Sequence, residues 1–305
     1  MKKSVLITGA SGMLGGAVAK VMPGVELTSK KCNLLRDDLT TYMKTNDLLH
    51  IDTVVHCAAK VGGVGANMNN NKLFFEQNSK IDHNVLTTAM DLDIPNVVTV
   101  LSTCIFPDKI EYPLTIDKLD AGAPHDSNHG YAYAKRSLAY QTKMFRYATK
   151  NNWISVVPTN LYGPGDNFHL EDSHLVPALI RKAYESTIND TPFMVWGDGS
   201  PLRQFTYAKD MAELIKWAIE EWNQDTPVMT VNEQEHSIKQ VVDIIADRFD
   251  IPVKDILYDT SKPSGQHRKP AKTDVDWFKF TSLEQGINET IDWFVNNYNT
   301  GDVRL

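Results

Sequence analysis

Residues 4–15 read Ser-Val-Leu-Ile-Thr-Gly-Ala-Ser-Gly-Met-Leu-Gly. Ser4 to Thr8 is a short apolar run of strand type that stops at a glycine. Met13 to Met22 continues with helical spacing of its apolar residues. Between strand and helix lie Gly9, Gly12 and Gly15, in a Gly-x-x-Gly-x-x-Gly pattern. Glycines at these positions permit a tight turn, close backbone approach to a pyrophosphate, and close helix–strand packing. The helix N-terminus adds free N–H groups and positive potential. Tight turns use glycine for many reasons, so the three glycines alone decide little. The order strand, turn, helix makes the stretch a candidate dinucleotide site, with Ser11, Met13 and Leu14 beside the glycines as further contacts.

Outward from this unit, strand and helix signals alternate over the first 160 residues. Val25 to Thr28, Thr53 to Cys57, Asn96 to Leu101 and Ile154 to Val157 read as strands. Asn71 to Asp91 and Tyr131 to Asn151 read as long helices. Parallel strands need crossovers, so the alternation implies βαβ units and a doubly wound sheet. The second half is less regular. Pro158 to Asn167 reads as a loop, and Phe193 to Trp196 as a short strand. Helices are expected at His174–Glu185, Ala208–Trp222, Ile238–Phe249 and Leu283–Tyr298. The expected class is α/β: a Rossmann-type doubly wound parallel sheet with a smaller C-terminal α/β substrate domain.

The 305 residues carry 31 Lys plus Arg against 38 Asp plus Glu, a net charge of -7. That balance argues against general nucleic-acid binding. Cys32, Cys57 and Cys104 are scattered and odd in number, which fits neither a disulfide framework nor a metal knuckle. No apolar run approaches the ~18 residues of a membrane span. After Met1-Lys2-Lys3, only Val5-Leu6-Ile7 precedes Thr8-Gly9, too short for a signal-peptide core. The expectation is a cytoplasmic protein without metal, membrane or nucleic-acid partners. The basic stretch Thr260 to Lys272 reads from composition as a solvated loop.

The end of the second strand bears on cofactor choice. An acidic residue there commonly holds a ribose 2′-hydroxyl, whereas this chain has Lys30 and Lys31, cations suited to a 2′-phosphate and hence to NADP. The alternative is that both are ordinary surface lysines. Tyr131 and Lys135 form a Tyr-x-x-x-Lys pair on one helix face. A neighbouring ammonium is expected to favour the phenolate and bring the phenol toward useful acid–base range. Alone, the pattern arises often by chance. Ser102, at the carboxyl end of a strand where open α/β sheets bind ligands, makes the set specific.

With these residues the chain resembles the extended short-chain dehydrogenase/reductase family, in particular its nucleotide-sugar epimerase/reductases. The strings that carry the resemblance are Ala58-Ala59-Lys60-Val61-Gly62-Gly63, Ser102-Thr103-Cys104-Ile105-Phe106-Pro107, Pro158-Thr159-Asn160-Leu161-Tyr162-Gly163-Pro164, Asp166-Asn167-Phe168, Ser173-His174, Val195-Trp196-Gly197, Pro201-Leu202-Arg203-Gln204-Phe205 and Lys262-Pro263-Ser264-Gly265. The resemblance implies that Ser102, Tyr131 and Lys135 are a reductase triad, and that Cys104 and His174 are the base and acid of epimerisation. It implies NADP(H) contacts from the glycine turn, Ala58, Lys60, Tyr131, Lys135, Pro158, Asn160, Leu161 and His174. A GDP-sugar would meet Ser102, Thr103, Cys104, Asn160, Trp196 and the cations Lys182, Arg203 and Lys269.

Some positions depart from the family pattern. Thr103 and Phe106 stand where Ser and Tyr are frequent. Ser11 and Lys182 stand where some members have Arg. The implied organisation is an NADP domain over 1–160, with a return segment near 205–231, and a substrate domain over 161–204 and 232–305. The implied reaction is C3 and C5 epimerisation of a GDP-4-keto-6-deoxy sugar followed by C4 reduction. The implied assembly is a homodimer through a four-helix bundle, with Phe74, Ile81, Val85, Leu138 and Phe145 as apolar contacts unless they pack on their own sheet. The alternatives are a related colitose-type synthase, a 4-epimerase that has no need of Cys104 with His174, or a non-catalytic NADP-binding protein. The last should lack Tyr131 or Lys135, and this chain has both.

Overall fold

The computed structural model describes residues 4–262 and 266–305. Residues 1–3 and 263–265, the latter within the Lys262-Pro263-Ser264-Gly265 string, lie outside the described residues. The chain begins with β1 (Val5–Thr8), α1 (Met13–Val21), β2 (Val25–Leu27), α2 (Leu39–Thr45) and β3 (Thr53–His56). There follow α3 (Val64–Asn69), α4 (Asn71–Asp91), β4 (Asn96–Val100), α5 (His129–Thr149), β5 (Asn152–Val157) and β6 (Asn160–Tyr162). The remainder is α6 (Leu175–Asn189), β7 (Phe193–Trp196), β8 (Leu202–Tyr207), α7 (Ala208–Glu221), β9 (Val228–Met229), β10 (Glu235–Ser237), α8 (Ile238–Arg248), β11 (Ile256–Asp259) and α9 (Leu283–Asn297).

The central sheet has the order β2-β1-β3-β4-β5-β9, with every pair parallel. Its strands are short apolar runs because both faces are covered. Leu6, Val54, Val97 and Trp153 point to a core shared with α2, α4 and α5. Val5, Ile7, Val55, Val98 and Ile154 point to the opposite core, under α1 and α7. The chain leaves β1 toward β2 and returns on its other side as β3. This switch point opens a crevice at the carboxyl ends of β1 and β3. The glycine turn follows β1 and Cys57-Ala58 follows β3, so the fold delivers both to the crevice.

A second core is built from α6, α8, α9, β7 and β8, with Phe168, Phe193, Ile245 and Phe294 fully buried. Here β8 pairs parallel with β6 and antiparallel with β10, while β11 pairs with β7. The expected loop Pro158–Asn167 contains β6. Its Pro, Gly and Asn content hides a three-residue strand whose partner lies about forty positions away, with Leu161 opposite Thr206.

The residues expected at a four-helix-bundle seam belong instead to the subunit's own interior. Phe74, Ile81, Val85 and Leu138 are buried, and Phe145 packs on the first core. They occupy the stripe of α4 and α5 that faces the sheet. The outer stripe of the same helices exposes Leu73, Phe75, Tyr133, Tyr140, Met144 and Tyr147.

Candidate functional site

Gly9 adopts φ +67°, and a Cβ there would meet Ala58 N at 2.8 Å. A Cβ on Gly15 would sit 2.2 Å from the Gly9 carbonyl oxygen. Side chains are therefore excluded from the cradle where β1, β3 and α1 converge. Gly12 caps α1 with no side-chain hydrogen bond, leaving the first amides of the helix open to an anion. These features fit the pyrophosphate of a dinucleotide. From this turn a cavity of about 560 Å³ runs along the sheet edge.

Ser102, Tyr131, Lys135 and His174 all line this cavity, although they come from three separate parts of the chain. Ser11, Met13, Leu14, Ala58, Lys60, Pro158, Asn160 and Leu161 line it as well. Ser102 ends the run after β4, and its Oγ accepts the Cys104 amide at 3.3 Å, opening a 3-10 turn over Thr103–Ile105. The helical spacing of α5 puts Tyr131 and Lys135 on one side. The Tyr131 ring meets Phe74 edge-on, with centroids 6.4 Å apart. Arg136, next to Lys135, donates through Nε to the Ile105 carbonyl at 3.0 Å and through Nη1 to the Gly122 carbonyl at 3.0 Å. It thereby ties the helix bearing Tyr131 to the turn bearing Cys104.

Three sequence expectations meet a different arrangement. Lys30 and Lys31 do not line the cavity, whose far end is formed by Thr28, Ser29, Cys32, Asn33 and Leu34. Lys31 Nζ instead donates to the Glu26 carbonyl at 2.9 Å, folding back on its own strand. Second, the Tyr131 phenol is not brought down. Burial raises it well above its ordinary 10.0, and the Cys104 thiol and the Asp82 carboxylate push the same way. Burial removes the water a phenolate needs, and Asp82 counters the Lys135 charge from 3.7 Å. Third, Cys104 is not part of the cavity wall. It is half-buried against the first core, where burial raises its thiol above 9.0 while Ser102, Lys269 and Lys135 oppose the shift.

His174 caps α6 and faces the cavity. Its side chain is open to the cavity, yet the protein around the ring desolvates it and lowers its imidazole below 6.5. Asn160 donates its amide to the Gln204 carbonyl at 2.8 Å. Of the residues expected to meet the sugar nucleotide, Ser102 and Asn160 line the cavity, whereas Thr103, Cys104, Lys182, Trp196, Arg203 and Lys269 do not. Lys182 Nζ stands 4.4 Å from the centre of the exposed Trp196 ring, with Lys262 at 5.8 Å. Burial lowers Lys182, Arg203 and Lys269, with Asp259 opposing at Lys182, and with Cys104 and Asp108 opposing at Lys269.

Several site residues escaped the sequence reading. Asn78 accepts the Lys60 amide at 2.9 Å and donates to the Lys60 carbonyl at 3.0 Å, fixing the loop after β3. Asp166 lines the cavity with Oδ2 buried and unpartnered among the described residues, and burial pushes its carboxyl up to about 7. His56 and Asp82 lie behind Lys135. The signal for Asn78 and Asp82 was present: two polar residues at i and i+4 follow Phe74 on the buried stripe of α4.

Residues 5–232 match the NAD dependent epimerase/dehydratase family. The GDP-L-fucose synthase of Dictyostelium discoideum is 36% identical over 98% of this chain and 97% of its own length. The GDP-L-colitose synthase of Yersinia pseudotuberculosis is 31% identical over 97% of this chain and 99% of its own. The crystal structure of a GDP-L-fucose synthetase from Naegleria fowleri bound to NADP superposes with a TM-score of 0.88 at 37% identity, covering 99% of this chain and 95% of that one.

Proposed function

The chain belongs to the NAD dependent epimerase/dehydratase family, and on that premise we propose that it is an NADP(H)-dependent epimerase/reductase of GDP-L-fucose synthase type. It converts GDP-4-keto-6-deoxy-D-mannose to GDP-L-fucose by inverting C3 and C5 and reducing the C4 ketone. The observation that carries the reading is the convergence of Ser102, Tyr131, Lys135 and His174 on one cavity that starts at the glycine turn.

The C4 ketone acidifies the protons on C3 and C5. Cys104 removes such a proton, and Ser102 and Tyr131 hydrogen-bond the enolate oxygen that develops. His174 returns a proton from the opposite face, which inverts the centre. NADPH, when bound, supplies the hydride for C4. Tyr131 then protonates the C4 oxygen, and Lys135 orients the nicotinamide ribose and Tyr131. The glycine turn, Ala58, Lys60, Pro158, Asn160 and Leu161 hold the dinucleotide. Lys182, Arg203 and Lys269 face the diphosphate and Trp196 the base, drawing the sugar nucleotide from the second core toward the first.

The enzyme acts in the cytoplasm as a homodimer. The exposed stripe of α4 and α5 supports that assembly, since a soluble subunit rarely leaves so many large apolar groups uncovered on one face. NADPH oxidation against a panel of GDP- and other 4-keto-6-deoxy nucleotide sugars, with the product's ring configuration read by NMR, tests the function. Conversion of GDP-4-keto-6-deoxy-D-mannose to GDP-L-fucose is expected. A product inverted only at C5, or an interconversion at C4 without net reduction, would favour the colitose-type or 4-epimerase alternatives.

A further inference from the structure

Behind the cavity wall lies a chain of polar side chains with no place in the chemistry described so far. Thr8 ends β1, His56 ends β3, Asp82 lies on α4 and Lys135 on α5. None of the four is more than 2% exposed. His56 Nε2 is 2.9 Å from Asp82 Oδ1. A carboxylate only accepts hydrogen bonds, so Nε2 carries the proton. Burial holds the imidazole below its ordinary range and therefore neutral, against the opposing pull of Asp82. His56 Nδ1 is then an acceptor, and the Thr8 hydroxyl donates to it at 2.8 Å. Thr8 Oγ1 in turn accepts the Ala58 amide at 3.1 Å, at the dinucleotide cradle.

The negative charge of this chain rests on Asp82. Its Oδ1 is 3.7 Å from Lys135 Nζ, an ion pair longer than a hydrogen bond. Its Oδ2 is buried with no hydrogen-bond partner among the described residues. A buried carboxylate that hydrogen-bonds fill only on one side is costly unless a cation answers it.

We propose that Asp82 is a positioning residue for the reduction: its carboxylate, oriented by Thr8 and His56, is the buried counter-ion that holds the Lys135 ammonium beside Tyr131. Asp82 is not part of the cavity wall, so it touches neither substrate nor dinucleotide. It acts through Lys135 in two ways. It fixes the direction of a long, flexible side chain. It also cancels the ammonium charge, which if unopposed would draw Tyr131 toward phenolate and deprive it of the proton it must give. Cys57, Cys104 and His56 also sense the Lys135 charge, and burial disfavours the charged form of each. The proposal rests on the reading of Tyr131 and Lys135 as the reductase pair.

The test is a double-mutant cycle in the full chain, with Asp82→Asn, Lys135→Met and the double variant, read by thermal unfolding and by steady-state NADPH oxidation with GDP-4-keto-6-deoxy-D-mannose. Asp82→Asn should lower kcat by about 10²-fold while KM for the sugar nucleotide stays within about twofold, because a misdirected Lys135 impairs alignment and not substrate contact. Adding Asp82→Asn to Lys135→Met should leave the residual rate unchanged and raise the melting temperature, since each single change strands a buried charge. Asp82→Glu should restore part of kcat. A native kcat in Asp82→Asn, or a double variant that melts lower than Lys135→Met, would overturn the proposal. The comparison between Lys135→Met and the double variant stands even where Asp82→Asn alone does not fold. Failure of the native chain to turn over the sugar nucleotide would count against the function, while the melting comparison would still decide the ion pair.

Discussion

Epimerisation with Cys104 as base and His174 as acid makes a quantitative demand on pH. The step needs thiolate and imidazolium together, and that state holds one proton between the two groups. The resting thiol–imidazole state also holds one. The ratio of the two is therefore fixed by the difference in pKa and not by pH. Burial raises the Cys104 thiol and lowers the His174 imidazole, so each is held toward its neutral form. The working protonation is then the minor one, at any pH between the two pKa values. The assay is incubation with GDP-4-keto-6-deoxy-D-mannose and NADPH in D₂O, with deuterium at C3 and C5 followed by NMR. Its initial rate should be flat within about twofold from pH 7 to 8.5. Cys104→Ser should slow the exchange by ~10²–10⁴-fold across the range. Lys269→Met removes a cation that favours the thiolate, so it should lower the plateau without tilting it. A tenfold rise per pH unit would refute the reasoning, because it would mean that a thiolate works without a protonated partner. A native product without deuterium at C3 or C5 would reduce the protein to a simple ketoreductase.

Tyr131→Phe should nearly abolish C4 reduction, measured as NADPH oxidation, while NADPH binding by fluorescence titration stays close to native. Gly15→Ala places a methyl 2.2 Å from the Gly9 carbonyl oxygen, where α1 must shift, and should weaken NADPH binding by about tenfold or more in the same titration. Phe75→Arg, on the exposed stripe of α4, should convert a dimer to a monomer by light scattering at micromolar concentration. The Asp166 carboxyl is raised from 3.8 to about 7, so the folded state loses stability as pH rises across that interval. Asp166→Asn should accordingly raise the melting temperature at pH 8 and leave it nearly unchanged at pH 3.5.

The first half of the fold was legible because its signals are local. The run Val5 to Thr8, the glycine turn and the α1 spacing sit within eighteen residues, and β1, β3, β4 and β5 are apolar runs bounded by turns. The strands β6, β8, β9 and β10 were missed because they are two to six residues long and owe their existence to distant partners such as Leu161 with Thr206. The site divides the same way. Ser102, Tyr131 and Lys135 could be placed in one crevice from strand ends and helix phase alone. Lys30 and Lys31 could not, because a surface lysine chooses its direction by contacts such as the Glu26 carbonyl, which no pattern encodes. The Tyr131 shift was misjudged in sign because Lys135 was visible in the motif and Asp82 was not, lying 49 positions before Tyr131 on another helix.

The raised Tyr131 phenol suits a group that must serve two reactions. Under the proposed function, one pair of donors, Ser102 and Tyr131, serves first an enolate and then an alkoxide on the same oxygen. The enolate oxygen is a weaker base than an alkoxide, and a phenol held well above its ordinary range hydrogen-bonds it without surrendering the proton. Epimerisation can thus run repeatedly without altering the protonation of the site. Hydride transfer to C4 produces an alkoxide, a far stronger base than any phenolate, and only then does the proton leave Tyr131. A phenol brought down toward neutrality, as the Tyr-x-x-x-Lys spacing alone suggested, would spend part of its time as phenolate and repel the enolate oxygen. Under that function, a Tyr131 held protonated by its burial and by the Asp82 carboxylate can hydrogen-bond the same oxygen in both steps and give up its proton only to the alkoxide.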